Sequence, residues 1–225
     1  MNNFTNKISL NQMVIFDKLT ESGKKRIIAQ QLKPDQFRVQ WYQLTRGRIK
    51  KSIEKNGDLK PIYEGINRLM QRVPENKRQE TDKNVSVEAL ERYLRFQLPK
   101  YFKEINFTII RPEERTITIS DVSVIVAPDL IVKGFSNGQT VVGAVKFHIC
   151  KSKPFDLQES KRAASTIYRY LKNIFEEQDV TILPEICCCF DIFSERIISA
   201  KQTDKSTIKE VNKICREIKK FYDAA

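Results

Sequence analysis

No stretch of the sequence approaches the roughly 18 consecutive apolar residues that a membrane span requires. The opening MNNFTNKISLNQ lacks the apolar core of a secretory leader, so a cytoplasmic protein with no membrane partner is expected. Histidine occurs once, at His148. The five cysteines (Cys150, Cys187, Cys188, Cys189 and Cys215) include no CxxC pair and have no histidine at metal spacing. A strand places Cys187, Cys188 and Cys189 on alternating faces, so the three thiols cannot converge on one metal. Reduced thiols packed as small hydrophobes are expected instead.

What the sequence has in excess is positive charge. Its 40 Lys and Arg against 28 Asp and Glu give a formal +12. Residues 1–85 hold 18 of the cations and nine of the acids, residues 86–225 hold 22 and 19, so the excess is mainly N-terminal. Such a segment points to an anionic partner, most commonly nucleic acid; an ordinary solvated surface is the alternative.

Three helices are expected in the first third. Met13, Val14, Phe16, Leu19, Ile27 and Ile28 recur at approximate helical spacing over residues 10–32, with Ser22-Gly23 as a break. A second helix over 35–55 has Pro34 before it and Gly57 after it. It carries Trp41, Tyr42 and Leu44 early and Arg46, Arg48, Lys50, Lys51 and Lys55 late. Those cations suit phosphate contacts, or simply complement the negative end of a solvated helix. A third helix ends near Val73 and buries Ile62, Ile66, Leu69 and Met70. Residues 74–85, PENKRQETDKNV, are polar throughout and read as a linker. The chain therefore divides into a basic helical domain (1–85) and a core domain (86–225).

The core domain reads as α+β or α/β. A helix over 86–97 buries Val87, Leu90, Leu94 and Leu98, with Glu91 beside that stripe and Glu88 aligned with Arg92 and Arg95. A short strand follows over 105–110. The run 117–126 changes alternation phase at Ser120-Asp121, as a bulge or a break would cause. After Pro128-Asp129 and a turn at 134–138 comes a strand. On it Val141, Gly143, Val145, Phe147 and Ile149 share one face, and Val142, Ala144, Lys146 and His148 the other. A helix over 156–176, a strand over 185–193 and an amphipathic helix over 207–222 complete the order.

A Pro-Asp, a hairpin and a second strand carrying a lysine resemble the PD-(D/E)xK, or restriction-endonuclease-like, nuclease superfamily. Pro128-Asp129 matches the first half of the motif and Lys146 its closing lysine, while Ala144 stands where the family carries its second acid. The resemblance covers roughly 140 residues and implies the restriction-endonuclease-like core of helix, three strands, helix, strand, here with an N-terminal helical domain. It also implies hydrolysis of DNA phosphodiesters dependent on Mg²⁺ or Mn²⁺. By the resemblance, Asp129 and the main-chain carbonyl of Val145 would hold the metal, and Lys146 would orient or deprotonate the attacking water. The Q-x-x-x-Y motif of several DNA-repair relatives is absent, since Ala164 and Thr166 stand four residues before Tyr168 and Tyr170.

Ala144 leaves three readings open. Another acid reaches the site, Glu91 first, with Asp121 and Glu159 as alternatives. Or the site has decayed on a fold that binds nucleic acid or protein without cutting. Or an alanine has been exchanged in to trap an inactive state. His148 shares the face of Lys146 and is a candidate general base, or a packed strand residue. Members of the superfamily are often homodimers; the C-terminal helix is the candidate interface here, with intramolecular packing equally open. A metal-dependent nuclease acting on DNA is the first expectation. A non-catalytic nucleic-acid-binding protein and a protein-interaction subunit are the rivals.

Overall fold

The computed structural model describes residues 6–33 and 42–225. In chain order the elements are β1 (Lys7–Ser9), α1 (Leu10–Ile15), α2 (Glu21–Leu32), α3 (Gln43–Glu54), α4 (Lys60–Gln71), α5 (Lys77–Leu94) and the single-turn α6 (Tyr101–Glu104). They continue with β2 (Thr108–Ile110), β3 (Thr116–Ile119), β4 (Val122–Ile125), β5 (Leu130–Ser136), β6 (Gln139–His148), α7 (Leu157–Ile174), β7 (Thr181–Asp191), β8 (Arg196–Ser199) and α8 (Lys205–Asp223). The chain is mixed α/β. Residues 34–41, which include the expected start signal Pro34 and the apolar Trp41, lie outside the described residues.

β6 and β7 form the centre of a five-stranded sheet ordered β2-β5-β6-β7-β8. They run parallel, joined by α7, and the other neighbours are antiparallel; a parallel pair needs a crossover of this length. The alternation read from sequence sorts the two faces. Val142, Ala144, Cys187 and Cys189 pack with Ile167 of α7 and Val211 of α8, whereas Val145, Phe147, Cys188 and Phe190 pack with Ile49, Ile62 and Leu90 of α3, α4 and α5. Strands covered on both faces need near-continuous apolar sequence, which β6 and β7 supply. Gly143 is required where β7 swells between Ile182 and Cys187: a Cβ there would lie 2.3 Å from Ile186 Cγ1.

The expected division at residue 85 is corrected by the packing. β1 joins β4 in parallel, making a second sheet ordered β1-β4-β3, and Ile8, Met13 and Phe16 share one core with Val124 and Ile218. Residues from both sides of position 85 build both cores. Nor is 74–85 a linker, because residues from Lys77 onward form the first turns of α5. Asn76 caps that helix, accepting from the Gln79 N–H at 3.0 Å. KRQETDKN has no apolar stripe, hence the misreading, but it contains Lys, Arg, Gln and Glu, which lose little rotamer freedom in a helix. Lys83 Nζ also donates to the Met70 and Arg72 carbonyls at the end of α4, at 3.0 and 2.9 Å.

Three further expectations are made specific. The phase break at Ser120-Asp121 is a two-residue hairpin turn with φ of 48° and 62°, the left-handed pair that a type I′ turn demands. Asp129 immediately precedes β5. The N-terminal helical stretch breaks ahead of Thr20, whose Oγ1 accepts from the Gly23 N–H at 3.2 Å. Finally, α8 buries Val211, Ile214, Cys215 and Ile218 within the core that includes α1 and α7, so its apolar face is used within the chain, the second of the two roles left open for it. α7 is thereby covered on both sides, and its Arg162 is buried: it donates to the Val14 carbonyl at 2.9 Å, Asp17 at 2.8 Å and Glu210 at 3.1 Å. Among the described residues no helix is long and apolar enough to cross a membrane.

Candidate functional site

Val126 to Pro128 carry the chain from the smaller sheet to the larger one. The Val126 and Ala127 N–H groups both donate to the Arg115 carbonyl, at 3.0 and 3.3 Å. Ala127 adopts φ +38°, a conformation that costs a residue with a Cβ of order 1 kcal/mol and persists only where surrounding contacts impose it. One of those contacts is Lys146, whose Nζ donates to the Ala127 carbonyl at 2.7 Å. Burial pushes the Lys146 ammonium below its ordinary pKa and Arg46 adds to that, with Asp129 opposing.

Asp129 is bound on every side. Its N–H donates to the Val145 carbonyl at 2.9 Å, its Oδ2 accepts from the Phe147 N–H at 2.8 Å, and its Oδ1 accepts from Arg46 Nη1 at 2.7 Å. The same guanidinium nitrogen lies 3.2 Å from the Phe147 carbonyl. Arg46 thus ties α3 to the edge where β5 and β6 begin to pair.

Around this pair opens a cleft of about 700 Å³. Gln43, Arg46, Lys50 and Glu54, at spacings of three and four, present one stripe of α3 to it. Arg111, Pro112 and Arg115 of the connection between the two sheets form the facing wall. Pro128, Asp129 and Lys146 lie between, with Tyr170 of α7 beside them, its hydroxyl donating to the Glu114 carbonyl at 2.6 Å. The lining carries five cations (Arg46, Lys50, Arg111, Arg115 and Lys146) and two carboxylates, Asp129 and Glu54. Low-dielectric walls lined by one sign of charge concentrate the opposite sign.

The metal site implied by the resemblance does not fit these residues. Ala144 offers no oxygen, and its side chain is fully buried among Ile131, Val142 and Cys187. The Val145 carbonyl already accepts the Asp129 N–H. Of the substitute acids, Glu91 is exposed on α5 near Arg95, Asp121 is in the exposed β3–β4 turn near Lys219, and Glu159 closes the α7 capping box and pairs with Lys18 at 2.9 Å. None of the three lines the cleft. Among the described residues no three His, Cys, Asp or Glu side chains are grouped to hold a metal ion. A cation already sits on Asp129, and it is Arg46.

His148 is also corrected. Although it shares a strand face with Lys146, it is buried away from the cleft, stacked on Phe155 with ring centroids 3.5 Å apart. Its Nε2 lies 2.8 Å from the Lys153 carbonyl and so carries the proton, leaving Nδ1 buried without a partner. The basic run on α3 separates by helical geometry. Arg46 and Lys50 face the cleft, Arg48 pairs with Glu64 at 3.0 Å, and Lys51 and Lys55 are exposed elsewhere. Sequence reasoning missed Gln43, Glu54, Arg111, Arg115 and Tyr170. The spacing of Gln43, Arg46, Lys50 and Glu54 was the available signal for two of them. No protein-family model matches the chain and no curated protein matches its sequence.

Proposed function

We propose that this chain binds nucleic acid through the cleft, on a restriction-endonuclease-like core, and does so without cutting it. In spatial terms α5, β2, β5, β6, α7 and β7 supply a helix, three adjacent strands, a crossover helix and a parallel strand, in keeping with that core. The observation that carries the reading is the charge of the cleft: five cations against two carboxylates, with Asp129 engaged by Arg46. Phosphodiesters meet such a site through charge-assisted hydrogen bonds and the release of condensed counterions. Lys50, Arg111 and Arg115 are the approachable donors, and Lys146, anchored on Ala127, adds charge from below.

Hydrolysis is the second reading, and the observation in its favour is Glu54, which lines the same cleft as Asp129 and Lys146. It would require Arg46 to leave Asp129.

Binding of labelled DNA and RNA measured across salt concentrations tests the proposal. The logarithm of the affinity should fall linearly with that of salt, with a slope of about −2 to −4. Lys50→Ala combined with Arg111→Ala should make it shallower by about 1.5, and EDTA should leave the affinity unchanged. Absence of binding, or affinity indifferent to salt, overturns the reading. Strand scission that requires Mg²⁺ or Mn²⁺ and disappears in Glu54→Gln establishes the second.

A further inference from the structure

We infer that the cleft takes a single-stranded segment of nucleic acid, one nucleotide of which enters it, in preference to a duplex. This rests on the proposed nucleic-acid binding and specifies its substrate. Size is the first observation: about 700 Å³ falls among sites that enclose a small molecule, and is too little to admit both strands of a double helix. The second is the composition of the walls. Ile109, Ile110 and Pro112, each partly exposed, contribute apolar surface to the same lining that carries the five cations. A site that only tracked duplex phosphates would have no use for that surface, because a duplex keeps its base faces covered by their neighbours. A single strand exposes both chemistries at once, a backbone charge for Lys50, Arg111 and Arg115 and a base face for the apolar wall.

The position of the cleft also suits a strand. Its walls belong to α3 on one side and to the junction between the two sheets on the other, so an entering nucleotide touches elements fixed by separate cores. Arg111 and Arg115 flank Pro112 on an exposed connection, where the strand can continue past the cleft in solvent.

Fluorescence anisotropy on the full chain at one moderate salt concentration tests this with four probes. They are a labelled 12-nucleotide single strand, its blunt duplex, an abasic single strand of equal length, and a free nucleoside 5′-monophosphate as competitor. The single strand should bind about tenfold more tightly than the duplex and at least about fivefold more tightly than the abasic strand. The monophosphate should compete only at concentrations far above the strand's Kd. Lys50→Ala with Arg111→Ala, both at solvent-accessible positions, should weaken the single strand and erase its advantage over the duplex. A duplex bound as well as the single strand overturns the inference and leaves nucleic-acid binding standing. Equal binding of the abasic strand overturns the role of the apolar wall, and with it the inference. A monophosphate as tight as the strand makes free nucleotide the ligand and overturns it too, as does an advantage that survives the double substitution. Failure of every nucleic acid to bind overturns both readings.

Discussion

Arg46 Nη1 lies 2.7 Å from Asp129 Oδ1 and 3.2 Å from the Phe147 carbonyl, so one guanidinium nitrogen holds both the acid of the Pro-Asp pair and the lysine strand. The carboxylate is nearly buried, at 9 % side-chain exposure, and its partner half-buried, at 29 %. A nuclease would need Asp129 to bind a metal; here Asp129 positions an arginine. The two roles answer oppositely to substitution. Asp129→Asn keeps the shape and a hydrogen-bond acceptor but removes the negative charge, so nucleic-acid affinity should rise about threefold at low salt. The fold should lose about 1–2 kcal/mol through the weakened bonds to Arg46 and Phe147. Anisotropy and thermal melting check both; a fall in affinity to near zero would contradict the role assigned to the pair.

Ala144 occupies the family's second-acid position but packs in the core. Ala144→Glu should therefore cost at least about 2 kcal/mol by placing a carboxylate among Ile131, Val142 and Cys187, and should not introduce metal-dependent cleavage. Urea unfolding beside a plasmid-nicking assay decides. A stable variant that cuts would mean that the strand turns this position toward the cleft.

Lys146 should make stability depend on alkaline pH. Its pKa is depressed in the folded chain, chiefly by burial, from an ordinary 10.5. The unfolded chain then binds more protons in the window just below 10.5, so stability contributed by this group rises as pH climbs through that window. Lys146→Met keeps the aliphatic stem and removes the proton. It should flatten the rise in ΔG just below pH 10.5 relative to the parent, and should weaken nucleic-acid binding about threefold. Chemical denaturation at stepped pH gives the first quantity and anisotropy the second.

His148 provides the acid-side counterpart. Burial against Phe155 lowers its pKa from 6.5, while the Lys153 carbonyl and the nearby Asp191 and Glu159 oppose that shift and Arg46 reinforces it. A neutral buried imidazole must be charged as the chain unfolds in acid. Its contribution is therefore present above about pH 6.5 and declines as pH falls toward the folded pKa. His148→Phe preserves the stack and should flatten that decline while leaving nucleic-acid affinity within about twofold. Loss of binding at neutral pH would restore a functional role to the imidazole.

Much of this arrangement was legible in the sequence because period-two alternation is a strong signal wherever a strand is buried on both faces. It assigned Val142 and Ala144 to one side and Val145 and Phe147 to the other, and it separated the three adjacent cysteines. What it could not show is what stands opposite. Lys146 and His148 share a face, yet Lys146 lines the cleft while Phe155 covers His148, a difference made by the chain between β6 and α7. Arg46 is 83 residues from Asp129, and no local pattern joins them. The polar start of α5 was missed for a related reason: with no apolar stripe, it is held by a cap and by α4 rather than by its own burial.

The parallel pairing of β1 with β4 bears on how the chain emerges from the ribosome. Lys7 pairs with Ser123, so β1 waits for a partner synthesised more than a hundred residues later, about 6–20 s at ordinary elongation rates. Throughout that interval Ile8, Leu10 and Met13 lack the α7 and α8 surfaces that cover them in the finished protein. β1 can therefore pair only after β4 is made, and its apolar face is covered only once α7 and α8 have followed.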